Sequence, residues 1–335
     1  SASAASHAGE LISNALHDQM AIVRSVEARS DPLATLTLWF EGAELLQKGQ
    51  LDIPKGVMQI FADHPKAQEM QEDFHSVKRR EDVDYGLYYH VSVWPMGTHL
   101  VHGAPPEKII RVVNDLVDRG DTAYAILNAT NIREHVIGMD CWFDQIWHAR
   151  RESASDFLEC AVPPGTADAY RAFYDNILEL MPHWRFYDGG ASVFIKQLLR
   201  RHTFGIRMEP DTRQFEEHRR EEFLQKLEAS IAGMDALLAS LKEKEAEIDP
   251  QYREFVHQNL VLQTHLLRGM YRCVLALMPE KADFAAAVDG IGEARTAMKE
   301  AETGRWVGWY RGDTKVNFDF ITRYLMPLAE KAKQA

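Results

Sequence analysis

Along the first half of the chain the apolar residues switch between two periods. Leu11, Ile12, Ala15, Leu16, Ile22, Val23 and Val26 recur at three- and four-residue intervals, the spacing of one helix face. A short apolar run at 33–40 then reads as a strand, with Leu45 and Leu46 marking a short helix behind it. Residues 57–61, 86–93 and 122–127 are three further strands, rich in β-branched and aromatic side chains. Between the last two, Pro106 suits a first helical turn, Ile109, Ile110, Val113, Leu116 and Val117 share one face, and Gly120 is the stop. Residues 136–147 form an aromatic-rich helix, in which Trp142, Phe143 and Trp147 are expected in the core.

Strands alternating with helices predict parallel βα units. A polar residue follows each strand: Glu41, Asp63, His90 and Asn128. In a βα barrel those positions form the active-site face. Four units are half of an eight-stranded barrel.

After about residue 166 the pattern becomes helical. Tyr170, Phe173, Tyr174, Ile177 and Leu178 make one stripe, which Gly189-Gly190 is expected to break. Phe223, Leu227, Ile231, Met234, Leu238 and Leu241 mark a long helix, Pro250 opens an apolar one that Pro279 closes, and 285–298 is alanine-rich. The predicted fold is α/β plus all-α: a (β/α)-barrel-like half domain over 1–160, then an antiparallel α-helical bundle over 161–335.

Composition narrows the partners. The 335 residues carry a net charge of -12, which argues against nucleic acid or an anionic membrane. The longest apolar runs are too short to span a bilayer. Cys141, Cys160 and Cys273 are widely spaced and make no Cys-x-x-Cys, so buried thiols are expected rather than a zinc or redox motif. No metal site and no cofactor motif is read: Gly-x-Gly-x-x-Gly, P-loop and Gly-x-Ser-x-Gly patterns are missing. Residues 1–7 have neither a basic n-region nor an h-region, so no leader is read there and localisation stays open: secreted or periplasmic if a leader has been removed, otherwise cytoplasmic.

The candidate chemistry lies in Asp84-Tyr85-Gly86-Leu87-Tyr88-Tyr89-His90-Val91-Ser92-Val93-Trp94, where rings with polar tips crowd a strand and its exit. A purely structural strand of a parallel sheet is Val, Ile and Leu-rich. Polar-tipped rings at a strand end suit a sugar-binding cleft. Asp63 lies one strand earlier, and as a bland alternative serves as a helix N-cap. A second aromatic cluster, 304–313, holds Arg305, Trp306, Trp309, Tyr310 and Arg311 between glycines. It reads either as a sugar platform with Trp309 and Arg311 meeting an anionic ring, or as a packed loop in which Arg311 pairs with Asp313. Arg133 and Glu134 read as a surface ion pair.

The order Leu38-Trp39-Phe40-Glu41, Val57-Met58-Gln59-Ile60-Phe61-Ala62-Asp63, the Tyr-Gly-x-Tyr-Tyr-His-Val core and Ala125-Ile126-Leu127-Asn128 resembles the second half of the catalytic barrel of glycoside hydrolase family 115, the xylan α-glucuronidases. The resemblance runs from about Gly9 to Trp147. It implies inverting, cofactor-free hydrolysis of a glucuronic acid cap, by two carboxylates roughly 6.5–9.5 Å apart with a water between them. Asp63 and Glu41 match carboxylates of the family and are the catalytic candidates; Tyr89, His90, Trp94, Asn128 and Asn131 are the candidates for contacting substrate, with Trp309 and Arg311 from the second cluster. Asn131 stands where the family has aspartate, and the family's first half-barrel has no counterpart in these residues. Those two departures keep two alternatives: a non-catalytic carbohydrate-binding protein, and a subunit or fragment whose sheet is completed by a second copy or a partner chain.

Overall fold

The computed structural model describes residues 2–29, 32–64, 68–93, 97–148, 153–181 and 184–334. They form two compact units, one of residues 1–90, 108–128 and 142–151, the other of 91–107, 129–141 and 152–335. The stretches that follow the third and fourth parallel strands, 91–107 and 129–141, group with the helical residues.

The first unit opens with helix α1 (Ala2–Val26), followed by strand β1 (Ala34–Thr37), helix α2 (Glu41–Gln47), strands β2 (Val57–His64) and β3 (Glu69–Met70), helix α3 (Glu72–Ser76), strand β4 (Tyr85–His90), helix α4 (Pro106–Arg119) and strand β5 (Tyr124–Asn128). The sheet order is β1-β2-β4-β5, all parallel, with β3 antiparallel beside β2. This is a half-barrel sheet. Its central strands β2 and β4 are buried nearly end to end, as strands covered on both faces are. Gly86 is fixed by packing: a Cβ there would meet Ile60 Cδ1 at 2.9 Å and collide with the Tyr124 carbonyl. Ahead of β4, Arg79 binds Asp121 through Nε at 2.9 Å and lays its guanidinium 4.2 Å from the Phe61 ring centroid.

The predicted apolar stripe of α1 is not the buried one. Leu11, Ile12, Ile22, Val23 and Val26 are exposed, while Gly9, Ser13 and Met20 are buried. Met20 packs with Leu38, Ile53 and Val57. Trp142 is buried as expected, but Phe143 and Trp147 of helix α5 (Val136–His148) are exposed.

The second unit is helical apart from the short hairpin β6 (Glu179–Met181) and β7 (Trp184–Arg185). Its helices are α6 (Ala154–Ala161), α7 (Ala167–Asp175), α8 (Asp188–Phe204), α9 (Pro210–Glu217), α10 (Arg220–Glu243), α11 (Pro250–Val256), α12 (Leu262–Leu277), α13 (Phe284–Glu300) and α14 (Phe318–Gln334). Gly189 and Gly190 lie in the first turn of α8, so they begin a helix instead of breaking one. Phe186, Phe194, Phe215 and Phe223 make edge-on and tilted ring contacts at the centre. At the crossing of α12 and α13, a Cβ on Gly269 would lie 2.5 Å from the Gly290 carbonyl oxygen, and one on Gly290 2.6 Å from that of Gly269. Paired glycines let these two backbones approach where an alanine would hold them apart.

Between α11 and α12 the helix takes a π-turn over His257–Val261. The extra residue leaves the Asn259 carbonyl available to the His102 ring Nε2, at 2.6 Å. Among the described residues no helix is long and apolar enough to cross a membrane, and no group of three or more metal-ligating side chains is placed to hold an ion.

Candidate active site at the strand ends

Parallel pairing brings the carboxyl ends of the four strands side by side, so whatever follows each strand shares one edge of the sheet. After β1 the chain turns sharply: Phe40 adopts φ 46°, ψ -110°, a sparsely populated conformation for a residue with a side chain. Its N–H donates to Gln71 Oε1 at 3.3 Å, and Gln71 Nε2 donates to the Ala62 carbonyl of β2 at 3.0 Å. One glutamine thus ties the strained turn to the neighbouring strand. The turn delivers Glu41 to the first position of α2, with its side chain exposed.

Trp39 stacks on His90, ring centroids 5.1 Å apart, and meets Tyr88 edge-on at 6.5 Å. Tyr88 and His90 lie 4.4 Å apart, and the Tyr88 hydroxyl accepts from Asn128 Nδ2 at 2.7 Å. Phe40 stacks on Trp39, and His64 meets Phe40 edge-on. Trp39, Tyr88, His90 and Asn128 therefore form one cluster drawn from three strand ends.

Asp63 is behind this cluster. It is 0% exposed and His90 only 1%, which takes both out of direct contact with bulk water. Asp63 Oδ1 is hydrogen-bonded to the His90 ring Nδ1, and Oδ2 accepts the His90 backbone N–H at 3.3 Å. Burial pushes the Asp63 carboxyl above its ordinary value, opposed by its bonds to His90. Because Nδ1 is held by Asp63, His90 Nε2 is the ring atom left to other chemistry. It is buried and makes no hydrogen bond among the described residues; the same is true of Trp39 Nε1 on the ring stacked against it.

The remaining candidates separate. Tyr89, expected to contact substrate, is a core residue: it is fully buried, its ring stacks on Trp142 at 5.2 Å, and its hydroxyl donates to the Gln68 carbonyl at 3.3 Å. Strand alternation explains this, since neighbours in a strand face opposite ways. Trp94 lies outside the described residues.

Asn131, Trp309 and Arg311 belong to the second unit. Asn131 Nδ2 donates to the His99 carbonyl at 3.0 Å. Trp309 is partly exposed and meets Trp306 edge-on at 4.8 Å, and Arg311 is exposed. Asp313 does not take up Arg311; its oxygens accept the backbone N–H groups of Lys315 and Asn317 at 2.9 and 3.0 Å.

Arg133 and Glu134 correct the sequence reading. They are a buried pair at 3.0 Å, not a surface one. Tyr310 donates to Glu134 at 2.5 Å, and Arg133 also binds Tyr310, Gln258 and the Ala301 carbonyl. Burial raises the Glu134 carboxyl above its usual range.

Sequence reasoning missed two further groups. Asp188, at the start of α8, is fully buried and accepts the backbone N–H groups of His99 and Leu100 at 3.1 and 2.9 Å; burial raises it to about 7. Burial also lowers His99 and His102 to about 4 and His135 to about 3. The acid preceding Gly189-Gly190 was a signal for the first of these: an acidic residue in a first helical turn is favoured.

A half-barrel of parallel βα units gathers ring and amide tips at its strand ends, the edge where barrel folds carry their active sites. Residues 1–162 match the family model described as glycosyl hydrolase family 115. A solved structure described as a novel family GH115 4-O-methyl-α-glucuronidase with specificity for decorated arabinogalactans has a similar fold, with a TM-score of 0.56 and 14% identity over 90% of this chain. The chain spans 39% of that protein's length. No curated protein matches the chain.

Proposed function

We propose that this protein is a glycoside hydrolase, or the half-barrel part of one, that removes a uronic acid residue such as glucuronic acid from a glycan without a cofactor. The observation that carries this reading is the pair of buried, unpartnered atoms on stacked rings, the Trp39 N–H and His90 Nε2, beside the Tyr88–Asn128 hydrogen bond. Buried polar groups are nearly always paired. A sugar hydroxyl, which both donates and accepts, satisfies an indole N–H and an imidazole nitrogen together. The family match over residues 1–162 supports the same class.

In hydrolysis the anomeric C–O bond breaks as water adds to carbon. One carboxylic acid gives a proton to the departing oxygen, and a second carboxylate takes one from the water. Glu41 is the exposed carboxylate at this edge and is assigned a proton-transfer role. Asp63, engaged at both oxygens by His90, acts through that ring as a positioning residue. Release of glucuronate from aldouronic acids by the purified protein tests the reading. Glu41→Gln is expected to lower kcat by about 10²–10⁴-fold, the usual contribution of a general acid or base. Turnover absent on all uronides over days sinks it.

A second reading, carbohydrate binding without hydrolysis, is favoured by Asn131, an amide at a position where the family resemblance implies aspartate. Calorimetric binding of a uronide with no product would select it. The exposed apolar stripe of α1 and the exposed start of edge strand β5 support completion of the sheet by further polypeptide, whether a second copy or a partner. A strictly monomeric mass with the sheet intact in solution excludes a second copy.

A further inference from the structure

Within the second unit lies a cavity of about 540 Å³ that shares no residue with the strand-end cluster. Trp306 forms part of its wall, and the Arg133 guanidinium carbon lies 5.8 Å from the indole centroid. Arg133 is itself fixed by Glu134, Tyr310, Gln258 and the Ala301 carbonyl, so a rigid buried network stands behind the indole. Ile132, Val136 and Phe255 add apolar surface, and the first two are exposed although they line the cavity. Gln258 and Asn259, both nine-tenths buried, complete the lining, with Gln258 already bonded to Arg133, Glu254 and Thr303 and Asn259 donating to the Phe255 carbonyl at 3.1 Å. Arg305 also lines the cavity, exposed and held by no ion pair among the described residues.

A flat aromatic wall, flanking aliphatic groups and one unpaired cation select a ligand by shape and charge. The wall accepts the face of a ring, and Arg305 accepts a single anionic group at its edge. We infer that this cavity binds a six-membered ring carrying a carboxylate, with the ring against Trp306 and the carboxylate on Arg305. The ring is a uronic acid residue or an aromatic acid. The first source rests on the function proposed above; the second does not.

Isothermal calorimetry on the full chain tests this with methyl glucuronide and benzoate, each beside its neutral counterpart, methyl glucoside or benzyl alcohol. One of the two acids is expected to bind at least tenfold more tightly than its neutral counterpart, and its identity names the source. Trp306→Ala and Arg305→Gln are each expected to weaken that binding at least tenfold, with Trp306→Phe recovering part of it while the circular dichroism spectrum stays unchanged. The inference is overturned if neither acid binds at millimolar concentration, if the neutral compound binds equally well, or if both variants bind like the parent. Glucuronide binding that is lost in Tyr88→Ala and kept in Trp306→Ala also overturns it, while supporting a strand-end sugar site. Trp306-dependent binding without any turnover supports this cavity and counts against the glycosidase.

Discussion

Replacing Asp63 with asparagine tests the buried pair behind the strand-end rings. In the parent, two donors converge on one carboxylate: the His90 ring Nδ1–H and the His90 backbone N–H. Asparagine retains one acceptor oxygen and sets an NH₂ against the second donor. Each buried donor left unpaired costs about 1–3 kcal/mol, and the charge-assisted part of the remaining bond weakens as well. A total loss of about 2–4 kcal/mol follows, a large fraction of the roughly 5–15 kcal/mol by which a domain is stable. At about 2–4 °C per kcal/mol for a unit of this size, the melting temperature falls by about 4–16 °C. Asp63→Ala removes both acceptors and is expected to fall further. The assay is thermal unfolding followed by circular dichroism, repeated in a His90→Ala background. There the ring donor is gone, so the ring's share of the loss disappears and Asp63→Asn costs about 1 kcal/mol less or better. Losses that simply add across the two backgrounds refute the claim that Asp63 acts through the His90 ring. If the rings are positioned as described, Asp63→Asn also lowers kcat more than it raises KM.

Glu41→Gln, at an exposed helix start, is expected to shift the melting temperature by under about 1–2 °C, since surface changes stay within roughly 0.5 kcal/mol; a larger fall would give Glu41 a structural role. The buried histidines make a pH prediction. His135 is held near 3 in the folded protein against 6.5 unfolded, so the unfolded chain binds the extra proton between those values and stability declines as pH falls through that window. Removing the group with His135→Leu should flatten the acid limb of stability by about 1.4 kcal/mol per pH unit between pH 4 and 6, relative to the parent. An unchanged slope in urea titrations at several pH values refutes the assignment. Gly290→Ala is expected to cost about 1–3 kcal/mol by overpacking against the Gly269 carbonyl, outweighing alanine's higher helix propensity of about 1 kcal/mol; a rise in melting temperature would show that the crossing is loose.

The half-barrel was legible because its signals are local and periodic. Short apolar runs bounded by Gly86, Pro106 and Gly120 identify the strands and the helix between them, and a polar residue after each strand marks the functional edge. Asp63, His90 and Asn128 were singled out this way, and the structure brings them to one edge of the sheet. What stayed hidden depends on side-chain direction and on contacts distant in sequence. Tyr88 and Tyr89 are alike in a sequence, but alternation sends one to the cluster and the other against Trp142, 53 positions along the chain. Arg133 and Glu134 look like a surface pair until Tyr310 and Gln258 close over them. The helical spacing of Leu11, Ile12, Ile22 and Val23 is real, yet periodicity says only that a face exists, not that this unit covers it. Gly189-Gly190 misled because glycine marks helix beginnings as well as ends.

The π-turn at His257–Val261 is in effect a phase shift written into one continuous rod. An ideal helix keeps every residue in a fixed angular relation to all the others, so a single rod offers one consistent set of faces. One inserted residue rotates everything after it by about 100° relative to everything before it. The face that brings Gln258 to Arg133 and the face that packs Gly269 against Gly290 are thereby set independently. Deleting one residue of the turn would make a more regular helix and a worse protein, since whichever half kept its packing would turn the other half's contacts away.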